Sequence, residues 1–465
     1  MNSLLILIGK TVSLISKSLN KGHGSTWPGH IALSLNKNFI KDVLAKNPNL
    51  KIILIAGTNG KTTTSKLIRT ILEHAKIRVV HNESGANLLN GIASVFINFA
   101  TISTYLNYNY AVFEVDENSL PLVLNELIPH YVILLNLFRD QLDRYGEVNT
   151  VASKWQKAIE QLGHKTIVIL NADDPQIAWL GLSLRAKRGN LLQEEIASSY
   201  FDKLSIPRND STRSNLLYFG LNEKTKSKIP QHASDSTYCP NCNTKLSYKS
   251  ISFSHLGNWH CPNCKDKRPK LSISSVTTYP LPGMYNRYNT LAAVLLCRSL
   301  NIELKVIDSA LQDFEPAFGR QEIINVNSKK VQLFLSKNPT SFNQSLQTIY
   351  ELNAKNILMV LNDKIPDGRD VSWIWDVDFE EYLDPQTNIA ISGDRCFDMG
   401  VRIKYSMEIK NCSPREAGKL KIEEDLKKAI NMALYETPRT EILYILPTYS
   451  AMLEVRKILT GKTIL

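Results

Sequence analysis

One stretch constrains the fold of this chain more than any other: residues 51–74, "KIILIAGTNGKTTTSKLIRTILEH". It begins with an apolar run typical of a buried strand, continues through a glycine-containing turn, and ends in a pattern typical of a helix. In such a unit the loop N–H groups surround phosphate oxygens, and the helix N-terminus favours negative charge. Lys61 adds a mobile positive charge, and the Thr62 hydroxyl can bind Mg²⁺. The segment therefore predicts an ATP-binding site.

The loop departs from the strict phosphate-loop pattern at one position, because Ile55 stands where that pattern has glycine. Strand, loop and helix nevertheless follow one another in the required order, so a chance glycine turn is the weaker interpretation. The predicted nucleotide-binding residues of the loop are Gly57, Thr58, Asn59, Gly60, Lys61, Thr62 and Thr63.

Four of the seven cysteines form two Cys-Pro-Asn-Cys turns. The C-x₂-C…C-x₂-C spacing is typical of a tetrahedral Zn²⁺ site with four thiolate ligands, and such a closed shell is structural. A reducing compartment disfavours disulfides, and the duplication of the motif disfavours a redox pair. The segment is too small to bury a core of its own, so bound zinc would stabilise it. The predicted zinc ligands are Cys239, Cys242, Cys261 and Cys264.

Short β-branched runs alternate with helical stretches from about residue 50, and again from about residue 330. Such alternation predicts α/β domains with mainly parallel sheets and helices on both faces. At 465 residues the chain is also long for one domain. The predicted parts are a helical N-terminal segment at 1–45, an ATP-binding domain at 46–320 and a smaller Rossmann-like domain at 321–465. The central domain would carry a loop insertion at 183–215 and the zinc ribbon at 236–270.

The N-terminus, "MNSLLILIGKTVSLISKSLNKG", is apolar, but Lys10 and Lys17 interrupt it and no small-residue cleavage site follows. A secretory leader is therefore not predicted. We expect an amphipathic helix that packs on the core, with membrane-surface contact as the alternative. Its apolar positions are Leu4, Ile6, Leu7, Val12, Leu14 and Ile15. No apolar stretch of about 20 residues occurs elsewhere, so we expect a cytoplasmic protein without a membrane span.

The loop "GTNGKTTT" resembles that of Mur ligases and folylpolyglutamate synthases, and six further segments match this family in the same order. They are "FEVDENSL", "LLNLFRDQLDRYG", "SKW", "NADDP", "LPGMYNRYNTLAA" and "FGRQE". The resemblance implies a Mur-ligase-like fold in which Glu114 and Thr62 bind Mg²⁺. It also implies that Asn286 lies near the adenine and Arg320 near the phosphates. Taken singly, each residue could also be an ordinary capping, surface or ion-pairing group.

Two positions of the resemblance concern the metal site. Lys154, in "SKW", corresponds to the lysine that many Mur ligases carry in carbamylated form. Gln141 and Tyr145 replace the two histidines of the family's N-L-x-x-D-H-L-D-x-H-G stretch. Because a metal-site histidine is replaced, the sequence leaves the existence of a second Mg²⁺ site undecided.

One branch of the family fits best. The cysteine insertion, "KNPTSFN" at 337–343 and "LNDKIPDGRDVSWIWDVDFE" at 361–380 resemble the MurT subunit of lipid II isoglutaminyl synthase. The resemblance implies a role in peptidoglycan synthesis: ATP-dependent amidation of the α-carboxylate of D-glutamate in lipid II, giving D-isoglutamine through an acyl phosphate. Lys61, Mg²⁺ and Arg320 would stabilise charge on the transferring phosphoryl group.

The amidation needs ammonia, and the sequence shows no cysteine in a glutaminase context. Cys297 lies in an apolar helical run, and Cys396 and Cys412 stand alone. The resemblance implies a separate class I glutaminase subunit, GatD-like, in a heterodimer. It also implies that Asp370 completes the catalytic Cys–His pair of that partner, with Asp367 and Asp376 as alternatives.

Other functions remain open at the level of sequence. A stand-alone Mur-type or folylpolyglutamate-type ligase would add an amino acid instead of ammonia. A nucleic-acid-binding NTPase would suit the net charge of +11 and the basic "KDKRPK" after the zinc ribbon. Nothing else resembles a helicase, so no nucleic-acid partner is predicted. An inactive ATP-binding scaffold is disfavoured because Lys61, Thr62 and Glu114 are intact.

Overall fold

The structure is a computed structural model of the chain. It describes residues 2–18, 26–82, 86–140, 148–163, 165–191, 215–222, 234–384, 386–409 and 420–462. Gln141, Tyr145, Cys412 and residues 192–214 of the expected insertion therefore lie outside the described residues.

A parallel sheet forms the centre of the first half of the chain. Its strands are β1 (Lys51–Ala56), β2 (Val79–His81), β3 (Tyr110–Val115), β4 (Tyr131–Leu134), β5 (Ile167–Asn171) and β6 (Leu216–Phe219). Their order is β2–β3–β1–β4–β5–β6, with β1 between two parallel neighbours. Because helices cover both faces, β4 is apolar along its length, β3 is apolar except for Glu114, and both strands are buried. The predicted parallel α/β architecture is confirmed.

Two layers of helices enclose this sheet, and each layer has its own apolar core. One layer contains α1 (Asn2–Ser18), α2 (Trp27–Leu35), α3 (Phe39–Ala45), α5 (Leu89–Phe99), α6 (Leu120–Glu126), α7 (Val148–Ile159) and α8 (Pro175–Leu191). The other contains α4 (Lys61–His74), α9 (Met284–Ser299) and α10 (Leu304–Gln312). The N-terminal helices α1–α3 therefore share the core of the central sheet and do not form a separate core.

Two local expectations differ from the structure. The first is the loop predicted from residue 183, because α8 continues as a helix to Leu191. The second is the packing of α1, which is helical as predicted and buries the predicted Ile6, together with Leu5, which was not predicted. The predicted positions Leu4, Leu7, Leu14 and Ile15 are exposed instead.

The cysteine segment forms an antiparallel hairpin of β7 (Ser247–Phe253) and β8 (Leu256–His260). Its two Cys-Pro-Asn-Cys turns lie before β7 and after β8. Asn243 and Lys265 follow these turns with φ of 56° and 68°, left-handed values that let each turn close tightly. The ribbon predicted at 236–270 is thus a hairpin with one cysteine pair at each end of its sequence.

A mixed sheet forms the C-terminal half. Its strands are β9 (Arg320–Val326), β10 (Lys329–Phe334), β11 (Asn356–Val360), β12 (Asn388–Ser392), β13 (Leu420–Ile422) and β14 (Ile442–Pro447). The order is β13–β12–β11–β14–β10–β9, and only the β9–β10 pair in this described sheet is antiparallel. The associated helices are α11 (Pro339–Glu351), α12 (Phe379–Tyr382), α13 (Cys396–Ile409), α14 (Leu426–Glu436), α15 (Tyr449–Thr460) and a 3₁₀ helix at Ser372–Asp376.

None of the helices in the described ranges combines the length and the apolar character that crossing a bilayer requires.

Candidate active site and zinc site

The phosphate loop joins β1 to α4 and is held by the end of β4. Gly57 and Gly60 have φ of 148° and 92°, values that favour glycine. Asn136 lies just beyond β4 and accepts two hydrogen bonds from the loop. Its backbone carbonyl accepts from the Thr58 N–H at 3.0 Å, and its side-chain oxygen accepts from the Asn59 N–H at 2.9 Å. The loop is therefore fixed by an asparagine that lies 77 residues away in the sequence.

Thr62 and Glu114 meet at the mouth of this loop. The Thr62 hydroxyl donates to Glu114 Oε2 at 2.7 Å. Asn82 holds the backbone of Glu114 on both sides, with hydrogen bonds of 2.9 Å to its N–H and its carbonyl. Burial raises the pKa of Glu114, against the opposing influence of Arg320, Thr62 and Lys61. A buried carboxylate beside a hydroxyl is an oxygen donor set of the kind that Mg²⁺ prefers.

Lys61 contacts a second carboxylate that the sequence reasoning did not single out. Its Nζ lies 3.2 Å from Glu117 Oε2 and also donates to the Gly57 carbonyl. Although burial opposes the charged form, the cations Lys61 and Lys337 lower the pKa of Glu117. Trp155, fully buried on α7, donates its indole N–H to the Glu117 carbonyl at 2.7 Å. The only signal in the sequence was the position of Glu117 three residues after Glu114.

The C-terminal domain supplies a lysine to the same cluster. Lys337 forms an ion pair with Asp140, which follows β4 and is 6% exposed. Although burial opposes it, the charges of Asp140 and Glu117 raise the pKa of Lys337. Arg320 lies at the start of β9. Its guanidinium interacts electrostatically with the Glu114 carboxylate and donates a hydrogen bond to the Phe318 carbonyl at 3.1 Å. The cluster is therefore assembled from both halves of the chain.

Asn286 lies behind the phosphate loop and not in the cluster of charges. It is buried in the first turn of α9, where its side chain donates to the Pro282 carbonyl at 2.8 Å. It also accepts from Asn289 at 3.3 Å, and Asn289 Oδ1 lies against Gly60. Asn286 thus reaches the loop through Asn289, which the sequence reasoning also missed.

Several buried polar atoms of this region lack a partner in the described structure. They are Asn59 Nδ2, Asp140 Oδ1 and Asn338 Nδ2. Buried polar groups are nearly always paired, so such atoms indicate room for polar ligand groups. A small open cleft adjoins these atoms and is lined by Thr58, Glu117, Leu137, Phe138, Asp140, Val148 and Val151. Together with the oxygen donors of Thr62 and Glu114, these polar groups suit the phosphates of a nucleotide and a divalent cation.

Lys154 lies on α7, one turn beyond Val151 of the cleft wall, and its side chain is exposed.

The four cysteines of the ribbon converge on one point. Their Sγ atoms lie within 4.8 Å of one another, with Cys239–Cys264 at 3.5 Å and Cys242–Cys261 at 3.4 Å. Zn–S bonds of about 2.3 Å in a tetrahedron require S···S distances of nearly 4 Å, so the cluster fits Zn²⁺. Asn241 of the first turn donates to Asp266 beside the second at 2.9 Å, which ties the two turns together.

The ribbon is anchored to the loop that follows β5. Trp259 donates to the Ala172 carbonyl at 3.0 Å, and Arg268 lies 2.7 Å from the Asp173 carboxylate. Asp174 accepts the Leu137 N–H at 2.9 Å. On the hairpin, the His255 ring stacks on Phe138 at 4.7 Å. Because Phe138 hydrogen-bonds the Thr58 hydroxyl, the ribbon supports the phosphate loop from behind.

The three candidate aspartates after β11 differ in their surroundings. Asp367 is 3% exposed and accepts from the N–H and the hydroxyl of Ser450. Asp376 lies 3.5 Å from the Arg139 guanidinium. Asp370 is exposed and accepts a local hydrogen bond from the Ser372 N–H at 2.8 Å. Hydrogen bonding by the Ser372 side chain, and secondarily by its N–H, lowers the pKa of Asp370.

Comparison with known proteins agrees with this geometry. The family described as "MurT ligase C-terminal" matches residues 335–452, and "Mur ligase middle domain" matches residues 55–188. The lipid II isoglutaminyl synthase (glutamine-hydrolyzing) subunit MurT of Staphylococcus aureus strain COL is 31% identical over 418 residues, 86% of this chain and 87% of that protein. The subunit of the same name from Streptococcus pneumoniae R6 is 31% identical over 488 residues, 99% of this chain and 98% of that protein.

Solved structures show the same fold at low sequence identity. A pseudomurein peptide ligase type C from Methanothermus fervidus gives a TM-score of 0.61 at 20% identity, covering 91% of this chain and 81% of that one. MurF of Thermotoga maritima in complex with ADP gives 0.58 at 13% identity, covering 90% and 82%. The fold is that of the Mur ligases, enzymes that form C–N bonds. Within that class, the chain belongs to the MurT family.

Proposed function

We propose that this chain is the ligase subunit that amidates the α-carboxylate of D-glutamate in the lipid II stem peptide, at the expense of ATP. The product would be D-isoglutamine in a peptidoglycan precursor. The observation that carries the proposal is the cluster of Lys61, Thr62, Glu114, Glu117 and Lys337 at one phosphate loop. The near-full-length similarity to proteins named MurT supports the choice of substrate.

The chemistry follows from the weakness of a carboxylate as an electrophile. A carboxylate oxygen attacks the γ-phosphorus of ATP, the bond to the bridging oxygen breaks, and ADP leaves. Ammonia then attacks the acyl carbon, loses a proton, and inorganic phosphate leaves. Lys61 and Arg320 would stabilise the charge on the transferring phosphoryl group. Mg²⁺ held by Thr62 and Glu114 would neutralise phosphate oxygens in the same step.

Ammonia would come from a glutaminase partner. The described cysteines outside the ribbon, Cys297 and Cys396, are both buried, and burial raises the pKa of each thiol. Neither is therefore suited to act as a nucleophile. Asp370 would orient the catalytic histidine of the partner, because Asp367 is engaged by Ser450 and Asp376 faces Arg139.

An exposed apolar surface beside the Asp370 segment suits such a partner. Phe397, Val401 and Tyr405 follow one another at intervals of four residues on α13, and Trp375 packs on Tyr405 at 5.8 Å. These side chains are 49–60% exposed, and Ile365 of the neighbouring loop is 78% exposed. Aromatic side chains are enriched in protein–protein interfaces. We assign this surface to the glutaminase subunit of a heterodimer.

Zinc would have a structural role in the ribbon, since four thiolates leave no open coordination position. The enzyme would act in the cytoplasm at the inner face of the membrane, where a lipid-linked precursor is accessible.

The test compares two nitrogen sources in the complex with the partner. We expect Asp370→Asn to retain amidation driven by ammonium chloride and to lose glutamine-driven amidation by about a hundredfold or more, because a misoriented histidine is a poor base. Asp376→Asn is the matched control and should support both. Equal loss of both activities in Asp370→Asn would remove the proposed role of Asp370. Incorporation of an amino acid instead of ammonia would favour the stand-alone ligase.

A further inference from the structure

The helix α1 is apolar on two faces. Its inner face packs on the core through Leu5 and Ile6. Its outer face exposes large aliphatic side chains at Leu4 (60%), Leu7 (49%), Ile8 (37%), Leu14 (69%) and Ile15 (51%). These positions recur at helical spacing along one side of the helix, with the exposed Thr11 between Ile8 and Leu14. An apolar stripe of this size on a protein surface marks an interaction site.

The inner face is fixed, so α1 cannot rotate to bury the outer one. A Cβ at Gly9 would lie 2.6 Å from the Ile97 side chain, which shows how closely α1 approaches α5. Ser13 donates to Asn98 at 2.9 Å, and Asn2 donates to Asp42 at 2.9 Å. These contacts set the rotation of the helix at both ends and in the middle.

The N-terminal segment of the sequence is basic, and its first acidic residue, Asp42, accepts a hydrogen bond from Asn2 at the start of α1. Residues 1–41 contain five lysines and neither aspartate nor glutamate. Lys10 lies at the edge of the stripe, one turn from Leu7 and from Leu14, where its amine can reach outward.

We infer that the outer face of α1, with Lys10 at its edge, docks on an anionic lipid bilayer. The helix would lie in the plane of the headgroups with its aliphatic side chains inserted and its inner face still on the protein. Lysines next to anionic lipid add attraction that aliphatic contacts alone do not provide. This deepens the proposed function, on which it rests for its biological role, because a lipid-linked precursor would lie at the same surface.

Co-sedimentation of the full chain with vesicles tests the inference. We expect binding to vesicles of phosphatidylglycerol and phosphatidylcholine in equal parts, and much weaker binding to phosphatidylcholine alone. Raising the salt concentration should weaken the binding, since exposed charges are screened. Lys10→Gln should weaken binding to the anionic vesicles about fivefold, as expected for one lysine near such a surface.

Leu14→Glu is the decisive variant, because a charge would replace the most exposed aliphatic side chain of the stripe. We expect at least a tenfold weaker partition, of about the order that loss of a buried aliphatic group gives. Leu304→Glu is the matched control: Leu304 is 60% exposed at the start of α10, in the helical layer on the opposite face of the sheet from α1, and this variant should bind as the wild type does. The melting temperature of both variants should be unchanged.

Three outcomes would overturn the inference. The wild type could fail to bind anionic vesicles, Leu14→Glu could bind as well as Leu304→Glu, or Leu14→Glu could instead abolish self-association or partner binding. Amidation of a lipid-free stem-peptide substrate separates this inference from the proposed function. Leu14→Glu should retain that activity, whereas absence of amidation in the wild type would refute the proposed function and leave vesicle binding to be judged by itself.

Discussion

Replacement of Trp259 by phenylalanine tests whether the zinc ribbon is a working part of the ATP-binding domain. Trp259 is 1% exposed, and its indole N–H donates to the Ala172 carbonyl beyond β5. Phenylalanine fills most of the same space but cannot donate. The carbonyl of Ala172 would therefore remain buried without this partner, at the junction between ribbon and sheet.

The expected cost has two parts. An unpaired buried acceptor costs about 1–3 kcal/mol. The smaller ring leaves a gap of about 40 Å³, which at about 24 cal/mol per Å³ adds about 1 kcal/mol. The sum, about 2–4 kcal/mol, corresponds to a roughly 30- to 1000-fold rise in the population with a detached ribbon, since 1.4 kcal/mol is tenfold.

The assay is the rate of zinc transfer from the protein to a coloured chelator in excess. All four cysteines remain in Trp259→Phe, so a faster transfer reports opening of the ribbon and not loss of a ligand. Trp375→Phe is the control, because Trp375 is 49% exposed in the C-terminal domain. ATP affinity should fall in parallel, since Asp174 supports Leu137 and His255 supports Phe138. A zinc-transfer rate within about threefold of the wild-type rate would refute the interpretation that the ribbon is a working part of the ATP-binding domain.

Three further predictions concern the charged cluster and its loop. Gly60→Ala should weaken ATP binding more than about tenfold, as measured by calorimetry, because the φ of Gly60 is 92° and a Cβ would lie 2.1 Å from the Asn289 side chain. Gly163→Ala is the control and should leave ATP binding unchanged, because the space around Gly163 is open. Lys337→Met should cut turnover and reduce stability by about 3 kcal/mol, because Asp140 is left buried without its cation, whereas Lys337→Arg should retain part of both. Burial, and secondarily Arg69, lowers the pKa of His81 from 6.5 to about 4, so stability should fall between pH 6.5 and pH 4 by at most about 3 kcal/mol. In His81→Asn this loss of stability should be absent, so its urea midpoint should fall less than that of the wild type between pH 6.5 and pH 4.

Local sequence predicts the elements whose causes are local. The phosphate loop follows from an apolar run, two glycines and a helix start, all within residues 51–62. The zinc cluster follows from ligand spacing alone. Lys337 and Asp140, however, are 197 residues apart, and no local pattern indicates that they meet. Their contact depends on how the two sheets pack, which periodicity does not specify.

Two other differences have equally physical causes. The β9–β10 hairpin turns at Asn327 and Ser328, whose φ values of 48° and 63° fit a two-residue turn. Without a glycine, that turn signal is weak in the sequence. The packing face of α1 was also not predictable, because both faces are apolar and periodicity cannot choose between them. Gly9 and Ser13 decided it through their close contacts with α5.

The C-terminal domain links the proposed ATP site to the proposed glutaminase contact through one helix. Lys337 and the N-cap residue Asn338 immediately precede α11. In the first turns of this helix, Phe342 packs on Trp373 with the ring centroids 6.1 Å apart, and Trp373 lies three residues after Asp370. On the other side, the adjacent residues Arg139 and Asp140 pair with Asp376 and Lys337 respectively. A displacement of the Asp370 segment therefore strains the same contacts that hold Lys337 beside Glu117. Because packed interiors transmit such shifts, the two sites are expected to move as one unit and not independently.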